Sequence, residues 1–150
     1  MEKDLYDFVG LFILMAGFVI GLGAVTVIDL HGFLGRKSPY WTEATIRTHK
    51  VTKPLIWVGM FLVIVGGAIT YRGMPIEGLV LLQTLSVPIM ILNGIFLSFI
   101  VSPFLLKQEK EGRSQELLPP SLQIKITISF MVSFVSWWGN LAIVLWMLIR

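Results

Sequence analysis

The stretch FVGLFILMAGFVIGLGAVTVI, residues 8–28, contains 21 consecutive residues and no charged side chain. At ~1.5 Å per residue, a helix of this length covers about 30 Å, which matches the hydrocarbon thickness of a bilayer. No small-residue cleavage pattern follows it, so we expect a retained membrane helix instead of a signal peptide. The stretch therefore predicts that the first element of the fold crosses a membrane.

Three further apolar stretches complete the pattern, at about 54–71, 79–106 and 122–149. The chain of 150 residues is 55% hydrophobic with a mean hydropathy of +0.82, and only 14% of its residues are charged. An average soluble domain has roughly 25% charged residues. The predicted fold is all-α, a transmembrane four-helix bundle in one integral membrane domain, 1–150. The absence of cysteine excludes disulfides, thiolate metal sites and cysteine nucleophiles.

Lysine and arginine are concentrated in two of the three links between these stretches. Nine of the twelve lie in or beside residues 29–53 and 107–125, and the other three are Lys3, Arg72 and Arg150. We expect the chain in the cell inner membrane, and the positive-inside rule then places both long links in the cytoplasm and both termini outside. Because the basic residues of the two long links are explained by the orientation of the chain in the membrane, no nucleic-acid partner is expected.

The first long link is itself predicted to be helical. Ser38 and Pro39 suit the N-cap and the first position of a helix, and Glu43 and Arg47 follow at a spacing of four. We expect a cytoplasmic helical extension over about 39–53 that runs into the second membrane span.

The second and fourth spans share a spacing that suggests an internal repeat. Trp57 lies 18 residues after Pro39, and Trp137 lies 17 residues after Pro120. Each of these two tryptophans is followed two positions later by a glycine. Parallel repeats occur in transporter folds, so the bundle is hypothesised to contain two parallel-repeated helix pairs.

Small residues mark one face of the first span and one of the second. Gly10, Gly17 and Gly21 share a side of the first, and Gly59 and Gly66 lie seven apart in the second. Membrane helices associate where small residues let their backbones approach. These faces are expected to make a tight bundle, or to pack the chain against itself or other membrane subunits.

A ladder of polar side chains follows one face of the fourth span. Its members recur at steps of four, three and four: Ser129, Ser133, Ser136 and Asn140. Two interpretations stay open. One is a structural seam, since serine can also bond to its own helix. The other is a ligand or ion seam that the ladder forms with Asn93, Thr26 and Asp29.

Asp29 and His31 follow the first apolar run directly, and we expect them to close its helix. A carboxylate at a helix C-terminus is opposed by the helix dipole by about 0.3–1 kcal/mol, and an unpaired one deeper in the bilayer costs more. We therefore expect Asp29 to have a cationic partner. Arg47 is the first choice, because guanidinium binds carboxylate at two points. The predicted ion pair is Asp29 with Arg47.

His31 and His49 are the only histidines in the chain. Two imidazoles that face each other across a membrane bundle can hold haem b, and a metal ion would want a further ligand such as Asp29. Both histidines fall in polar segments at the cytoplasmic boundary, where interfacial residues are common. Haem or metal ligation is therefore kept as an alternative to a plain interfacial position.

Four short motifs resemble those of a family of small four-helix integral membrane proteins of bacteria and archaea whose function is unknown. They are Ala24, Thr26 and Asp29; Ile56, Trp57 and Gly59; Asn93, Gly94 and Leu97; and Ser136, Trp137 and Trp138. The chain is also loosely similar to the copper-resistance-D-like membrane proteins, some relatives of which carry haem. It lacks the several membrane histidines that those proteins use. The resemblance implies a four-helix fold and no particular biochemistry.

No Walker loop, dinucleotide fingerprint or zinc-protease motif is present, so the chain is not expected to be an enzyme by itself. The predicted function is a membrane-embedded binding or transport module for a small ligand or ion. Two alternatives remain. One is a redox protein that binds haem or quinone near His31, His49 and Trp57, and the other is a structural subunit of a membrane complex.

Overall fold

The computed structural model describes residues 5–149, and all regular structure in that range is helical. Four helices form the bundle: α1 (Leu5–Gly35), α2 (Pro39–Thr70), α3 (Gly78–Lys110) and α4 (Pro120–Leu148). Each is long and apolar enough to cross a membrane, so the predicted all-α four-helix fold is confirmed. Lys3 and Arg150, which entered the charge count, lie outside the described residues.

Helix α1 is longer than the sequence predicted. The expectation that Asp29 and His31 close the helix is wrong, because it continues to Gly35 and both side chains lie within it. The next helix begins at Pro39, as predicted, since proline suits a first helical position. The hydroxyl of Thr42 donates to the carbonyl of Gly35 (2.8 Å), so a side chain at the start of α2 supplies a hydrogen-bond donor to a carbonyl at the C-terminus of α1.

Helix α3 contains one irregular turn. Residues Leu97–Val101 adopt a π-helical register, in which the amide of Ser102 donates to the carbonyl of Leu97. The cause lies in Pro103, which has no N–H and whose ring presses on the preceding turn of a regular helix. In the π register the carbonyl of Ser98 falls opposite the nitrogen of Pro103, which has no hydrogen to donate.

Helices α1 and α2 pack along their length through glycine. A Cβ on Gly17 would lie 2.6 Å from the backbone nitrogen of Val63, and one on Gly59 would overlap the backbone of Gly21. A Cβ on Gly66 would meet the backbone of α1 in the same way. The prediction that these glycines mark close helix contacts is confirmed. The contacts lie within the chain, so these faces are occupied without a partner subunit.

Helices α3 and α4 form the second pair, and α4 also reaches α1. The buried ring of Trp137 on α4 meets Phe18 edge to face, with ring centroids 6.3 Å apart, and lies over Gly21. Helices α2 and α3 are joined by the short turn at 71–77, but they make few direct contacts. Residues of both helices instead line two cavities.

The two ends of the bundle differ. At the link end, the end of α3 and the connection 111–119 lie against the first part of α2, where Lys50 pairs with Glu109 (2.7 Å) and Gln115 donates to Glu43 (3.0 Å). At the turn end, residues 71–77 join α2 to α3. The hypothesis of two parallel-repeated helix pairs stays a prediction, although Trp57 and Trp137 have different surroundings.

Candidate functional site

A cavity of about 80 Å³ lies at the link end, between all four helices. By volume it has room for a few water molecules or a small ion. Most of its wall is apolar, but several polar side chains reach it: Asp29, Thr42, Thr45, His49, Lys53, Trp57 and Ser98. We call this space the link-end cavity. It is the place where ionisable side chains from α1 and α2 converge inside the bundle.

Asp29 on α1 is partly buried and lines this cavity. Its carboxylate faces the hydroxyl of Ser133 on α4, and that hydroxyl accepts a hydrogen bond from the amide of Asn93 on α3 (2.8 Å). Asp29 is thereby joined to the polar ladder through Ser133. Three helices thus contribute to one chain of polar contacts that ends at an acid.

The predicted ion pair between Asp29 and Arg47 is not formed. Arg47 pairs with Glu43 on its own helix (2.5 Å), and its side chain is 74% exposed. The spacing of four residues along α2 satisfies Arg47 locally, so it has no need to reach α1. Within residues 5–149, Asp29 has no ion-pair partner within 4.0 Å. Its nearest compensating charge in the cavity wall is Lys53.

Lys53 on α2 is held by the π-helical turn of α3. Its ammonium donates to the carbonyl of Ser98 (3.3 Å) and to the hydroxyl of Ser102 (3.4 Å). The first of these is the carbonyl that Pro103 leaves without a helical donor. Trp57, one turn further along α2, donates from Nε1 to the hydroxyl of Ser98 (3.1 Å). The irregular turn therefore fixes a lysine and a tryptophan at the cavity, and π turns are frequent at functional sites.

The two histidines have separate surroundings. His49 lines the link-end cavity, and its buried Nε2 has no hydrogen-bond partner among residues 5–149. His31 does not line that cavity. Its ring lies against Trp41, with centroids 5.2 Å apart, and its buried Nδ1 also has no partner in the described part of the chain.

Haem does not fit this arrangement. A cavity of about 80 Å³ is far smaller than the several hundred Å³ that ligands of drug size occupy, and one of the two histidines lies outside it. Across residues 5–149, no three His, Asp or Glu side chains are grouped to hold a metal ion. His49 is therefore better placed to hydrogen-bond a small guest than to ligate iron.

The polar ladder of α4 divides into two clusters. Near the link end, Asn93 donates to Ser133, and the hydroxyl of Ser129 donates to the Oδ1 of Asn93 (2.7 Å). Near the turn end, the amide of Asn140 donates to the hydroxyl of Ser86 (2.6 Å) and to the carbonyl of Ser136 (2.6 Å). Asn93 of α3 thus bonds to two serines of α4, and Asn140 of α4 bonds to Ser86 of α3. These side chains satisfy one another's hydrogen-bonding groups between the two helices.

Thr26 does not join this seam. Its side chain is exposed on the outer face of α1, and its hydroxyl donates to the carbonyl of Leu22 one turn back (2.7 Å). Its place among the predicted seam residues is therefore wrong. Thr26 and Asp29 are three residues apart and lie about 60° from each other around the helix axis, so the boundary between the exposed and the partly buried face of α1 falls between them.

Three residues of these sites were not singled out by the sequence analysis. Ser86 and Gln83 contact Asn140, and Lys53 contacts the π-helical turn. Ser86 lies seven residues before Asn93, and Gln83 lies three residues before Ser86. This helical spacing could have placed all three on the same face of the helix. Nothing in the sequence of α2 distinguishes Lys53 from the other basic residues near it.

Charged residues in the link 111–119 form exposed pairs away from the cavity. Arg113 donates to Glu111 and to Glu116 (2.9 Å). The hydrogen bond from Arg113 holds the pKa of Glu111 below its ordinary value, and the bonds to Glu111 and Glu116 raise the pKa of Arg113. Such exposed pairs contribute little to stability.

Comparisons with protein-family models, with curated proteins and with solved structures found no match to this chain. The resemblances drawn from its short motifs stay predictions. The function is accordingly inferred from the residues of the site.

Proposed function

We propose that this chain is a membrane-embedded binding and transport module for a small ion, with the link-end cavity as its binding site and the link end in the cytoplasm. Asp29 is the group that exchanges a proton or a small cation. His49 offers a hydrogen-bonding nitrogen, and Lys53 supplies the charge that keeps the empty site close to neutral.

The observation that carries the proposal is a carboxylate inside a membrane helix that has no ion-pair partner within 4.0 Å in the described residues, beside a cavity. Ionisable groups in membrane spans are costly, and they commonly mark ion pathways and proton relays. Among the described residues, the hydroxyl of Ser133 is the hydrogen-bonding neighbour of Asp29, and Ser133 is held by Asn93. His49, whose Nε2 has no partner in the same range, lines the same cavity. A carboxylate without an ion pair and an unpartnered imidazole nitrogen on residues of one small cavity favour a guest that bonds to both.

The size of the cavity limits the guest. About 80 Å³ accommodates a proton carried by water or a small hydrated cation, and excludes a sugar or a nucleotide. Lys53 lines the cavity, whereas Arg47 and Lys50 form exposed pairs outside it. The site therefore favours a monovalent cation over a larger anion.

The proposal is tested by ion flux in reconstituted vesicles. Proteoliposomes that enclose a pH-sensitive dye are given a potassium gradient with valinomycin, and a second set encloses a sodium-sensitive dye. We expect wild-type protein to raise the rate for one of the two ions at least fivefold over empty vesicles. Asp29→Asn keeps the shape of the side chain but removes its charge, and is expected to lower the rate to that of empty vesicles.

Thr26→Val is the matched control, because Thr26 lies on the same helix but faces outward. It should retain the wild-type rate. A wild-type rate in Asp29→Asn would contradict the role of Asp29. The transport function would be overturned if the wild-type protein showed no flux of either ion above that of empty vesicles.

A further inference from the structure

A second and larger cavity lies at the turn end of the bundle. Its volume is about 540 Å³, within the range that small-molecule sites occupy in proteins. All four helices and the turn contribute to its wall, which is mainly aliphatic, and none of the lining side chains carries a charge. We call this space the turn-end cavity. It is separate from the link-end cavity, and no residue lines both.

Two polar atoms in this wall have no hydrogen-bond partner among residues 5–149. They are the hydroxyl of Tyr71 and the Oε1 of Gln83, and both atoms are buried. Gln83 is only 7% exposed, and its Nε2 already donates to the backbone carbonyl of Asn140 (3.2 Å). That bond fixes the amide, so its free oxygen cannot turn away to find another partner. Buried polar atoms without partners are costly and call for an explanation.

Tyr71 and Gln83 lie beside each other. Burial raises the pKa of the Tyr71 hydroxyl, and its polar interaction with the neighbouring side chain of Gln83 lowers it. The other polar side chains in the wall are already satisfied: Thr84 donates to the carbonyl of Val80 (2.8 Å), and Asn140 is bonded to Ser86. The unsatisfied groups are thus one hydroxyl, which can donate, and one carbonyl oxygen, which can only accept.

We propose that the turn-end cavity binds an uncharged, lipid-soluble molecule through a hydroxyl group. The ligand hydroxyl accepts a hydrogen bond from Tyr71 and donates one to Gln83, while its apolar body fills the aliphatic part of the cavity. A charged ligand is excluded because nothing in the wall compensates it. An alkane is disfavoured because it leaves both polar atoms unsatisfied.

The ligand reaches this cavity from the membrane. Helices α2 and α3 make few direct contacts, and residues of both line the cavity. Gly67 and Ala68 on α2 are small and line the cavity, and Ala68 is exposed on the outside of the bundle. A lipid-soluble alcohol that is concentrated in the bilayer can therefore enter between the two helices.

The test is photolabelling of the full chain in phosphatidylcholine nanodiscs. The probe is a ten-carbon alcohol with an aliphatic diazirine, and the sites of labelling are mapped by mass spectrometry. We expect labelling to be concentrated on residues of the cavity wall such as Met74, Val80 and Thr84. An excess of 1-decanol should reduce it at least fivefold, whereas decane should not. A decyl-substituted hydroquinone distinguishes the source of the hydroxyl, because stronger competition by it than by 1-decanol indicates a quinol.

Two variants separate hydroxyl recognition from simple partitioning. Tyr71→Phe keeps the ring but removes the hydroxyl, and Gln83→Leu removes the acceptor. Each is expected to reduce labelling of the wall at least fivefold. Gln108→Leu is the control, since Gln108 is 3% exposed and also has an unpartnered oxygen but lies near the link end. Thermal unfolding of each variant reports its fold, and Tyr71→Phe decides the test if Gln83→Leu does not fold.

The proposal is overturned if decane competes as well as 1-decanol, or if labelling is spread over the lipid-facing residues. It is also overturned if Tyr71→Phe labels like the wild type. Asp29→Asn should leave the labelling unchanged, because the ion site lies at the other end. The two proposals can thus fail independently.

Discussion

Helices α1 and α2 approach each other through glycine, whereas α3 and α4 approach each other through amide and hydroxyl side chains. In the first pair, a Cβ on Gly59 would overlap the backbone of Gly21, so the two backbones are in direct contact. In the second pair, Asn93 and Asn140 each bond to serines of the facing helix. One seam depends on shape and the other on hydrogen bonds.

The difference bears on where function can be located. A glycine seam has no group to ionise or to bind a ligand, and its contacts are those of close packing. The amide seam extends through Ser133 to Asp29 at the link end, and its residues Gln83 and Asn140 line the turn-end cavity. The turn-end site therefore uses Gln83 of the second seam directly, and the link-end site meets that seam through the contact of Asp29 with Ser133, while its other ionisable residues lie on α2.

The largest expected effect comes from a single methyl group in the glycine seam. Gly59→Ala places a Cβ against the backbone of Gly21, which cannot move aside as a side chain would. We expect the free energy of unfolding to fall by about 2–3 kcal/mol, near the upper end of the costs of overpacking. Reversible unfolding in mixed micelles with increasing dodecyl sulfate measures it.

Gly139→Ala is the matched control for this change, because a Cβ on Gly139 has nothing within 4 Å. It should leave the free energy unchanged or raise it by up to about 1 kcal/mol, since alanine favours the helix. Equal losses in the two variants would show that α1 and α2 are not in close contact.

Loss of an asparagine in the amide seam is expected to have a smaller effect. Asn93→Leu and Asn140→Leu should each lower the free energy of unfolding by about 1 kcal/mol, since hydrogen bonds between membrane helices average ~0.6 kcal/mol and reach ~1.7. Asn93→Leu should be the more costly, because it also releases Ser133, which faces Asp29. The same unfolding titration measures both variants.

A double-mutant cycle between Asn93 and Ser133 tests whether the bond itself is responsible. Ser133→Ala in the Asn93→Leu background should cost less than in the wild type, with a coupling energy of about 0.5–1.5 kcal/mol. Additive losses would mean that the two residues stabilise the bundle separately, which would contradict the seam as described.

The glycine seam could be predicted from the sequence, but the two cavities could not. Glycines at steps of seven and four on an apolar helix predict a close contact with another helix, and only its partner was left open. Asn93 and the serines of α4 were likewise visible at helical spacing. Their pairing as two reciprocal clusters was not, because it depends on the axial offset between α3 and α4, which no local pattern specifies.

The ion pair of Asp29 with Arg47 failed for a related reason. Its prediction assumed that α1 ends near Asp29 and leaves the carboxylate beside the start of the next helix, but α1 continues for more than a turn beyond Asp29. The rotation of the helix then turns Asp29 towards α4, while Glu43 satisfies Arg47. The π-helical turn could have been suspected from Pro103, whose missing N–H disturbs any regular helix around it. That Lys53 would use the freed carbonyl follows only from the packing of α2 on α3.

The smallest expected effect concerns that carbonyl, which Lys53 of α2 contacts in the backbone of α3. In the π register, Pro103 has no N–H to offer to the carbonyl of Ser98, and Lys53 donates instead (3.3 Å). Pro103→Ala removes the cause of the π turn, and in a regular helical register the same carbonyl receives the N–H of Ser102, so Lys53 becomes less important there. We expect Lys53→Met to lower the free energy of unfolding by about 1 kcal/mol in the wild type, as loss of an ordinary hydrogen bond does.

In the Pro103→Ala background, the same substitution should cost about 0.5 kcal/mol less, and the difference is the coupling between the two positions. Dodecyl sulfate titrations of the four proteins in the cycle measure it. If Lys53→Met is equally costly in both backgrounds, the carbonyl of Ser98 is not what holds the lysine. The contact between α2 and α3 would then be electrostatic, through the cavity and towards Asp29, and the cost should shrink in Asp29→Asn instead.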